Sequence, residues 1–461
     1  MTLPEPSVSV LGLDPTHRNC VLNGNAFQQD AIQSYNGWQY ACFYSQLSAD
    51  GAKEPLYIHL SRRKLPKGKW ETFVFDDYPQ TTDDGHNTVQ LGICPGDGTI
   101  HLSYDHHCDI IRYRHSHPGV AQTPASHPWT KSLFTAHLSR LPGLGAEQDT
   151  LFSYITYPRF VPLDSSLLFT WRTGKAGLGD DHIAVYSSSP SASQSTAYGY
   201  KVLGTNLKGV QNNPYIHGLD HRRGRLHATW VYREFVHYTG WDDPLDVQHK
   251  QQAGPNSGAN NRDICYAYSD DGGLVWRNGA GVVVADLSKT GDEGEGVRPD
   301  APGIVAFEIP KGSGLANQEA QAVDGMGGVH VLNRDCVGGE QRWKHYYRAP
   351  NGTWTQHALP HVNGVYGGKR GRLAVSKDDD LYLILPDPTA PTLTILKAPK
   401  ESGYSEYELV WREDGFPPTE PLVDTTRLQY DNVLSVFTRS SYGSDLDSHA
   451  QVDVVVLDFK L

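Results

Sequence analysis

The stretch Arg223–Glu234, with the sequence RGRLHATWVYRE, contains the pattern that decides the fold. A turn glycine is followed by alternating residues, and the run ends in an aromatic residue and an arginine. Alternation with a period of two is typical of a β-strand whose two faces have different neighbours. The stretch therefore predicts a strand that begins directly after a tight turn.

The same pattern returns along the chain, at intervals of roughly 60 to 70 residues. An interval of this length holds about four short strands with their loops, which is the size of a propeller blade. Dividing the chain by that interval gives about seven blades, so we predict an all-β, seven-bladed β-propeller that occupies residues 1–461 as one domain. The other copies of the pattern are NGWQYACFYS from Asn36, DGTIHLSYDHH from Asp97, SSLLFTWRTG from Ser165, MGGVHVLNRD from Met326 and KRGRLAVSKDDDLYLILPD from Lys369.

Two further features support the propeller. The last strand, AQVDVVVLDF, is expected to complete a blade that begins near PSVSVLGL, which would close the ring. The segment SDDGGLVW, Ser269 to Trp276, fits the Asp-box of sialidase-like propellers. In such a box Asp271 caps backbone N–H groups and Trp276 packs between blades, so its role is structural.

A histidine pair provides the first candidate for chemistry. Pro95-Gly96-Asp97-Gly98 lies between two apolar runs and predicts a two-residue type II′ hairpin with Gly96 and Asp97 as its loop. Paired positions then sum to 193, which places His86 opposite His107 with Cβ atoms roughly 5 Å apart. His106 would point to the other face as a packing residue, and a bulge would exchange the roles of His106 and His107.

Other polar residues follow strands at equivalent places of successive blades. In a propeller such positions converge on a funnel at the axis, and the convergence of two His, a Tyr and two Arg favours a functional site. We therefore predict His86, His107, Tyr157, Arg172 and Arg233 as catalytic residues. The predicted substrate-binding residues are Asn87, His106, Tyr232, Asn261, Arg334, His345 and Arg348.

Structural roles explain several similar residues. His101, His227 and His330 share one position of the repeat, and this repetition favours hydrogen bonds within the fold. Arg222, Arg223 and Arg225 cluster around Gly224 as a solvated turn would. Metal binding by His86 and His107 remains an alternative, since Asp105 shares the face of His107 and zinc sites need a third ligand.

Composition restricts the partners and the compartment. The net charge of −12 argues against nucleic acid and against an anionic membrane surface, while a local arginine cluster still permits an anionic sugar. No apolar run reaches the length of a membrane span. The six cysteines form no C-x-x-C pair, so they are buried thiols, one or two disulfides, or part of a structural metal site. The start MTLPEPSVSV lacks a secretory apolar core, which fits either a cytosolic protein or a mature form with an added Met. Of these alternatives we expect the mature form, an extracellular monomer.

The chain resembles the BNR-repeat polysaccharide lyases. The resemblance rests on DGHNTVQLGI, DGTIHLSYDHH, TYPRFV, LLFTWRTG, GRLHATWVYR and NRDICYAYSDDGGLVW, and runs from about Asp83 to Asp335. That family includes seven-bladed ulvan lyases and enzymes that cleave L-rhamnosyl-α-1,4-D-glucuronate ends of gum arabic. The resemblance implies an acidic polysaccharide substrate containing glucuronate and rhamnose, with the rhamnose–glucuronate lyases preferred and ulvan lyase as the alternative.

The chemistry implied by this resemblance is β-elimination. Such a lyase removes the C5 proton of a uronate and expels the oxygen at C4, which leaves a C4–C5 double bond. Arg172 and Arg233 suit the uronate carboxylate because a guanidinium binds it with two parallel hydrogen bonds. Asn261 would add an amide donor, His86 suits the base, His107 would orient it or share its charge, and Tyr157 would donate to the leaving oxygen. Because the proton and the oxygen leave from the same side of glucuronate, an alternative is that one residue serves as both base and acid.

Cofactors and rival functions complete the predictions. The elimination needs no cofactor, although some relatives carry a structural calcium or zinc ion; Cys265, His330 and Cys336 offer suitable ligand atoms here. One rival function is a sialidase-type hydrolase, in which Tyr346 or Tyr347 would be the nucleophile. The other is a non-catalytic carbohydrate-binding propeller, which would have no need of a His pair beside Arg and Tyr.

Overall fold

Strands of the repeated pattern form seven sheets that surround one axis. The structure, a computed structural model, describes residues 2–15, 17–47, 55–188, 198–251, 254–362, 364, 367–441 and 452–461. Neighbouring sheets share contacts through their first strands, which line the axis. The predicted seven-bladed β-propeller is thus confirmed.

The first three blades follow strand β1 (Ser7–Leu13), which belongs to the last blade. Blade 1 consists of β2 (Ile32–Tyr35), β3 (Trp38–Ser45), β4 (Leu56–Lys64) and β5 (Glu71–Gln80). Blade 2 contains β6 (Val89–Ile93), β7 (Ile100–Tyr104) and β9 (Tyr113–His115), while β8 (His107–Asp109) joins blade 3. The rest of blade 3 is β10 (Ile155–Leu163), β11 (Ser166–Thr173), β12 (Asp181–Ser188) and β13 (Tyr198–Leu207).

Blades 4 to 7 complete the ring. Blade 4 has β14 (Asn212–Arg222), β15 (Arg225–Glu234), helix α1 (Gln248–Gln251), β16 (Asn261–Ser269), β17 (Val275–Arg277), β18 (Val283–Asp286) and β19 (Val305–Phe307). Blade 5 has β20 (Ala320–Val323), β21 (Val329–Asp335), β22 (Arg342–Arg348) and β23 (Trp354–Ala358). Blade 6 has β24 (Arg372–Val375), β25 (Leu381–Pro386), β26 (Thr392–Ala398) and β27 (Glu408–Asp414). Blade 7 has β28 (Leu422–Val423), helix α2 (Thr425–Asp431), β29 (Val433–Ser440) and β30 (Asp453–Lys460).

The chain ends close the propeller as expected. Strand β1 pairs antiparallel with β30, with Ser7 opposite Asp458 and Leu13 opposite Asp453. The first and last strands therefore share blade 7, so that unfolding either end opens the ring. Among the described residues, no helix is long and apolar enough to cross a bilayer.

The core consists of apolar clusters between neighbouring blades. Both faces of a blade are therefore buried, which accounts for strands such as LYLILP being almost continuously apolar. Trp276 lies in the cluster between blades 3 and 4, and Asp271 accepts hydrogen bonds from the N–H groups of Leu274 and Val275. The Asp-box has the structural role that its sequence predicts. All six cysteines are free thiols, four of them buried.

The hairpin between β6 and β7 keeps the predicted register but has a different turn. Val89 faces Tyr104 and Ile93 faces Ile100, so the pairs sum to 193. The type II′ prediction is wrong: the N–H of Gly98 donates to Cys94 O at 2.9 Å, which makes a four-residue loop. Gly98, not Gly96, has the positive φ, at 64°. A side chain at Gly98 would also clash with Gln122, which explains this glycine.

Candidate active site

His86 and His107 meet at the axial end of blade 2, as the sequence predicts. Their rings stack with centroids 3.8 Å apart and planes inclined by 22°. His107 does not reach this place as a partner in the hairpin, because the chain turns at Asp105, with φ of 64°, and enters β8. Strand β8 pairs with β10 of blade 3, where His107 faces Thr156. The pair thus lies across the boundary between two blades.

Asp84 holds both histidines with one carboxylate, and the sequence reasoning did not identify it. His86 Nδ1 is 2.6 Å from Oδ1 of Asp84, and His107 Nδ1 is 2.6 Å from Oδ2. Because an ionised carboxylate only accepts, both rings carry their hydrogen on Nδ1. Nε2 of each neutral ring is then the nitrogen with the lone pair, and it is the atom able to take a proton. The sequence signal that could have pointed to Asp84 is its position two residues before His86.

Burial and hydrogen bonding set the protonation of this cluster. Burial lowers the pKa of His86 below its ordinary value and lowers the pKa of His107 to about 3. Burial opposes ionisation of Asp84, but hydrogen bonds from His107 and His86 hold its pKa below the usual range. At neutral pH the cluster is one carboxylate between two neutral imidazoles, so His86 and His107 are available as bases.

Tyr157 lies beside the pair at an irregular point of β10. It has φ of 56°, and the β10–β11 register shifts between Thr156 and Arg159. The bulge turns the Tyr157 ring towards the axis, with its centroid 5.6 Å from that of His86. Burial raises the pKa of Tyr157 above its ordinary value, so the hydroxyl keeps its proton at neutral pH. It is therefore a suitable proton donor beside a base.

Arg172 and Arg233 are both almost fully buried, at 3% and 1% exposure. Arg172 donates to Tyr215 Oη at 3.0 Å and to Thr156 Oγ1 at 3.3 Å. Arg233 donates to Asn261 Oδ1 at 2.9 Å and to Asn317 Oδ1 at 3.0 Å. In the part of the chain that the structure describes, neither guanidinium forms an ion pair with a carboxylate. Two buried positive charges with neutral partners attract an anion, because an uncompensated buried charge is costly.

The cluster continues around the axis through residues that the sequence analysis missed. Phe27 stacks on His86 at 4.8 Å, and Arg370 lies 4.6 Å above the Phe27 ring. Arg370 also donates to Asn317 Oδ1 at 3.2 Å, and Asn317 binds Arg233. Tyr215 lies between Arg172 and Arg233, whose guanidinium carbons are 5.3 and 4.5 Å from its ring. These contacts form a closed circle, called here the axial funnel: Phe27, Asp84, His86, His107, Tyr157, Arg172, Tyr215, Arg233, Asn261, Asn317 and Arg370.

The predicted substrate-binding residues divide into two groups. Asn261 is in the axial funnel, and Arg334 lies near it, where it donates to Glu319 at 3.2 Å and to Gly368 O at 2.6 Å. Asn87 donates to Asp105 at 2.7 Å, so it supports the turn before β8. Asp105 also accepts from Gln80, which makes it a structural acceptor and not a partner of His107.

The remaining predicted residues point away from the funnel. His106 accepts from the N–H of Arg112 at 2.8 Å, so its ring stabilises the turn on the other face. Tyr232 is in the core between blades 3 and 4, because alternation in β15 sends Tyr232 and Arg233 to opposite faces. His345 binds His330 and Tyr407, and Arg348 donates to Gly279 O. The structure does not bring these four side chains to the funnel, and we do not retain them as site residues.

The residues of the alternative functions are not brought together either. The buried Tyr346 donates to Asp335, and Tyr347 stacks on His330, so neither sialidase nucleophile candidate lies in the funnel. Cys265 is in the core between blades 3 and 4, while His330 lies beside Asp324 in blade 5.

One group of ligand-type side chains among the described residues could hold a metal: Asp84, His86 and His107, with ligand atoms within 4.8 Å. In the structure each Nδ1 is hydrogen-bonded to one oxygen of Asp84, so these atoms are engaged with each other. A metal on these atoms would require both hydrogen bonds to break. We therefore interpret the group as a hydrogen-bonded pair with its carboxylate.

A segment between β15 and β16, Phe235–Gln251 with residues 254–260, covers one side of the funnel. It carries His249, whose ring lies 6.3 Å from that of His107 and whose Nε2 is 3.0 Å from Tyr154 Oη. Lys175 binds the segment through Trp241 O at 2.6 Å. His249 is thus a third imidazole next to the pair, and no repeat in the sequence pointed to it.

The comparisons with known proteins agree with the propeller fold. A profile of BNR repeat-containing family members matches residues 38–362. The chain belongs to this BNR repeat family. The resemblance to BNR-repeat polysaccharide lyases is thereby confirmed at the level of the family.

Among the relatives are ulvan lyases of Alteromonas and Pseudoalteromonas. The long isoform of Alteromonas sp. is 26% identical over 290 residues, which cover 55% of this chain and 26% of that protein. The short isoform of Alteromonas sp. (strain LOR) is 27% identical over 325 residues, covering 60% of this chain and 56% of that protein. The match spans only about a quarter of the long isoforms.

Two solved structures share the fold. The polysaccharide lyase Uly1 superposes with a TM-score of 0.68 over the full length of both chains, at 17% identity. A PL25 ulvan lyase bound to -[GlcA(1-4)Rha3S]- has a TM-score of 0.60 and 13% identity, and covers 95% of this chain and 94% of its own. At these identities the similarity establishes the propeller fold.

Proposed function

We propose that this protein is a polysaccharide lyase that cleaves beside a glucuronate by β-elimination. The observation that carries the proposal is the pair of buried guanidinium groups, Arg172 and Arg233, next to a neutral His86–Tyr157 couple. The two guanidinium groups are suited to binding a sugar carboxylate. The His86–Tyr157 pair is suited to removing a proton from carbon and donating a proton to oxygen. Relatives that are named ulvan lyases support the same reaction class.

In the proposed mechanism, Arg172 and Arg233 bind the uronate carboxylate and reduce its negative charge. This makes the C5 hydrogen more acidic and stabilises the enediolate that forms when it leaves. Asn261 and Asn317 hold Arg233 from two sides, which fixes the direction of its N–H groups.

His86 Nε2 takes the C5 proton, and the electron pair of that bond forms the C4–C5 double bond. The C4–O4 bond breaks, and Tyr157 donates its hydroxyl proton to the departing oxygen. The protonated His86 then returns its proton to Tyr157, directly or through solvent, which restores both groups. Asp84 stabilises the positive charge on His86 while it carries the proton.

We propose as substrate a polymer in which rhamnose and glucuronate are joined, with gum arabic-type arabinogalactan ends preferred. Ulvan is the second candidate, favoured by the names of the relatives and by the GlcA-Rha3S fragment bound in one fold neighbour. A polymer of this kind lies outside cells, so we propose an extracellular enzyme that acts as a monomer, with the propeller as its single catalytic domain.

The test is the ultraviolet absorbance of the unsaturated uronate during incubation with gum arabic and, separately, with ulvan. We expect growth of absorbance on one polymer and its loss in His86→Ala, while the exposed His117→Ala keeps it. Release of reducing sugar without absorbance would show a hydrolase. If a folded protein binds a polymer but gives neither absorbance nor reducing sugar, the lyase proposal is wrong and the protein is a carbohydrate-binding propeller.

A further inference from the structure

The end of the propeller axis away from the axial funnel contains a cavity, called here the lower channel. Its volume is about 750 Å³, which is in the range of small-molecule sites. It is lined by the later parts of the inner strands and by turns such as Asn36–Gly37, while helix α2 forms one wall. The residues of the axial funnel lie near the beginnings of the inner strands, so the two sites lie at opposite ends of the axis.

The inner part of the lower channel is lined by ionisable groups that the proposed reaction does not use. They are Asp30, Arg159, Asp220 and Arg372. Arg159 is 4% exposed and donates to Ile216 O at 2.7 Å. Nε of Arg372 is buried and has no hydrogen-bond partner in the part of the chain that the structure describes. Asp220 accepts from Gln321 at 2.6 Å.

The charges that line the lower channel balance. The lining contains four carboxylates (Asp30, Asp164, Asp220 and Asp431) and four guanidinium groups (Arg159, Arg222, Arg372 and Arg427), and Arg427 also forms an ion pair with Asp458 behind the wall. A lining with both signs of charge in similar number favours neither a net anion nor a net cation. A ligand whose groups both donate and accept, without a charge of its own, satisfies both kinds of partner.

The mouth of the lower channel adds an apolar surface. Tyr430 on α2 is 77% exposed, which is unusual for an aromatic side chain. Tyr35, on the neighbouring strand β2, also lines the channel and is fixed by a hydrogen bond to Pro95 O at 3.0 Å. Phe160 continues the apolar surface inwards. Exposed rings at the entrance and paired polar groups inside match the two faces of a sugar, which are C–H and hydroxyl.

We propose that the lower channel is a second carbohydrate site, which binds a neutral saccharide. It differs from the axial funnel in charge: among the described residues Arg172 and Arg233 of the funnel form no ion pair with a carboxylate, whereas the lining of the channel has as many carboxylates as guanidinium groups. The hydroxyl groups of the sugar would pair with Asp30 and Arg372, and its C–H face would stack on Tyr430. The proposal does not depend on lyase activity, and its test measures binding.

The test is isothermal titration of the whole protein with neutral saccharides, namely galactose, arabinose, lactose and maltose. Glucuronate is titrated as the anionic sugar and glucosamine as the cationic sugar, for comparison with the neutral saccharides. We expect at least one neutral saccharide to bind with millimolar affinity. Tyr430→Ala should weaken this binding roughly three- to ten-fold, because stacking on a ring is lost, while Tyr430→Phe keeps it.

Asp30→Asn should weaken the same binding by about ten-fold, since a charged acceptor is replaced by a neutral amide. Asp242→Asn, on the exposed segment at the other end of the axis, is the matched control and should have no effect. If Asp30→Asn does not fold, Tyr430→Ala alone decides. Three results would overturn the proposal: no binding of any neutral saccharide, equal binding by glucuronate, or loss of binding in Arg172→Ala with Tyr430→Ala unchanged.

Discussion

Replacing Asp84 by asparagine should separate the roles of the two histidines. The two carboxylate oxygens are not equivalent, because Oδ1 accepts from both Nδ1 and the backbone N–H of His86, at 2.6 and 3.0 Å. In Asp84→Asn the amide would therefore place its carbonyl oxygen at the Oδ1 position. Its NH₂ group then faces Nδ1 of His107, which has to become an acceptor, so the hydrogen of that ring moves to Nε2.

The expected loss depends on which ring is the base. If His86 is the base, as proposed, it keeps its tautomer and loses only the negative charge behind it. That is a charge-assisted hydrogen bond of about 1.5–3 kcal/mol, which corresponds to a fall of kcat by about 10- to 150-fold. If His107 is the base, its Nε2 carries the hydrogen, and the fall should approach the roughly 10⁴-fold expected for a wrong tautomer.

The assay is the initial rate of absorbance growth, with the melting temperature measured beside it. Asp83→Asn is the matched control, because Asp83 is the adjacent carboxylate and binds only the Asn19–Cys20 turn among the described contacts. An Asp84→Asn variant with unchanged kcat would refute the role of Asp84 as the group that fixes both rings.

Three further perturbations test the site and its surroundings. Tyr157→Phe should lower kcat by about 10²- to 10⁴-fold with little change of KM. The fall of kcat should be smaller for a substrate with a better leaving group at C4, which needs less help from an acid. An equal fall for both substrates would show that Tyr157 is not the acid. Arg172→Lys keeps the charge but not the planar fork, so kcat/KM should fall by about 10- to 100-fold, whereas Arg223→Lys, at an exposed turn, should be neutral in the same assay. Burial raises the pKa of Asp181 to about 7 from 3.8, so the folded state holds a proton that the unfolded state releases. The free energy of unfolding should therefore fall as the pH rises from 4 to 7. In urea titrations, this fall should be smaller in Asp181→Asn than in the parent protein, by up to about 4 kcal/mol. The same pH dependence in both proteins would contradict this.

Some features of the fold were predictable because they are local. The repeated alternation defines strands, and its interval defines blades, since each blade repeats the same packing problem. The register sum of 193 was correct even though the predicted turn was wrong, because pairing depends on the total loop length and not on the turn type. The Asp-box is also local, since the carboxylate caps N–H groups within four residues.

The site was only partly predictable from the same signals. His86, His107, Tyr157, Arg172 and Arg233 could be predicted as candidates because each lies within a few residues of the end of a strand. Asp84 was missed because a single carboxylate in a loop has no periodic signal. Asn317 and Arg370 were missed for a similar reason, as their partners come from other blades far away in the sequence.

The sequence by itself determined the strands, the repeat and the ring of seven blades, whereas only the tertiary structure decided which polar residues face the axis. The physical reason is that both faces of a propeller blade are buried, so burial does not distinguish the two sides of a strand. Tyr232 and Arg233 are neighbours in one strand, yet one lies in the core between blades and the other in the funnel. Alternation in β15 sends the two side chains to opposite faces, and which of these faces meets the axis is decided by the neighbouring blades, whose residues are distant in the chain.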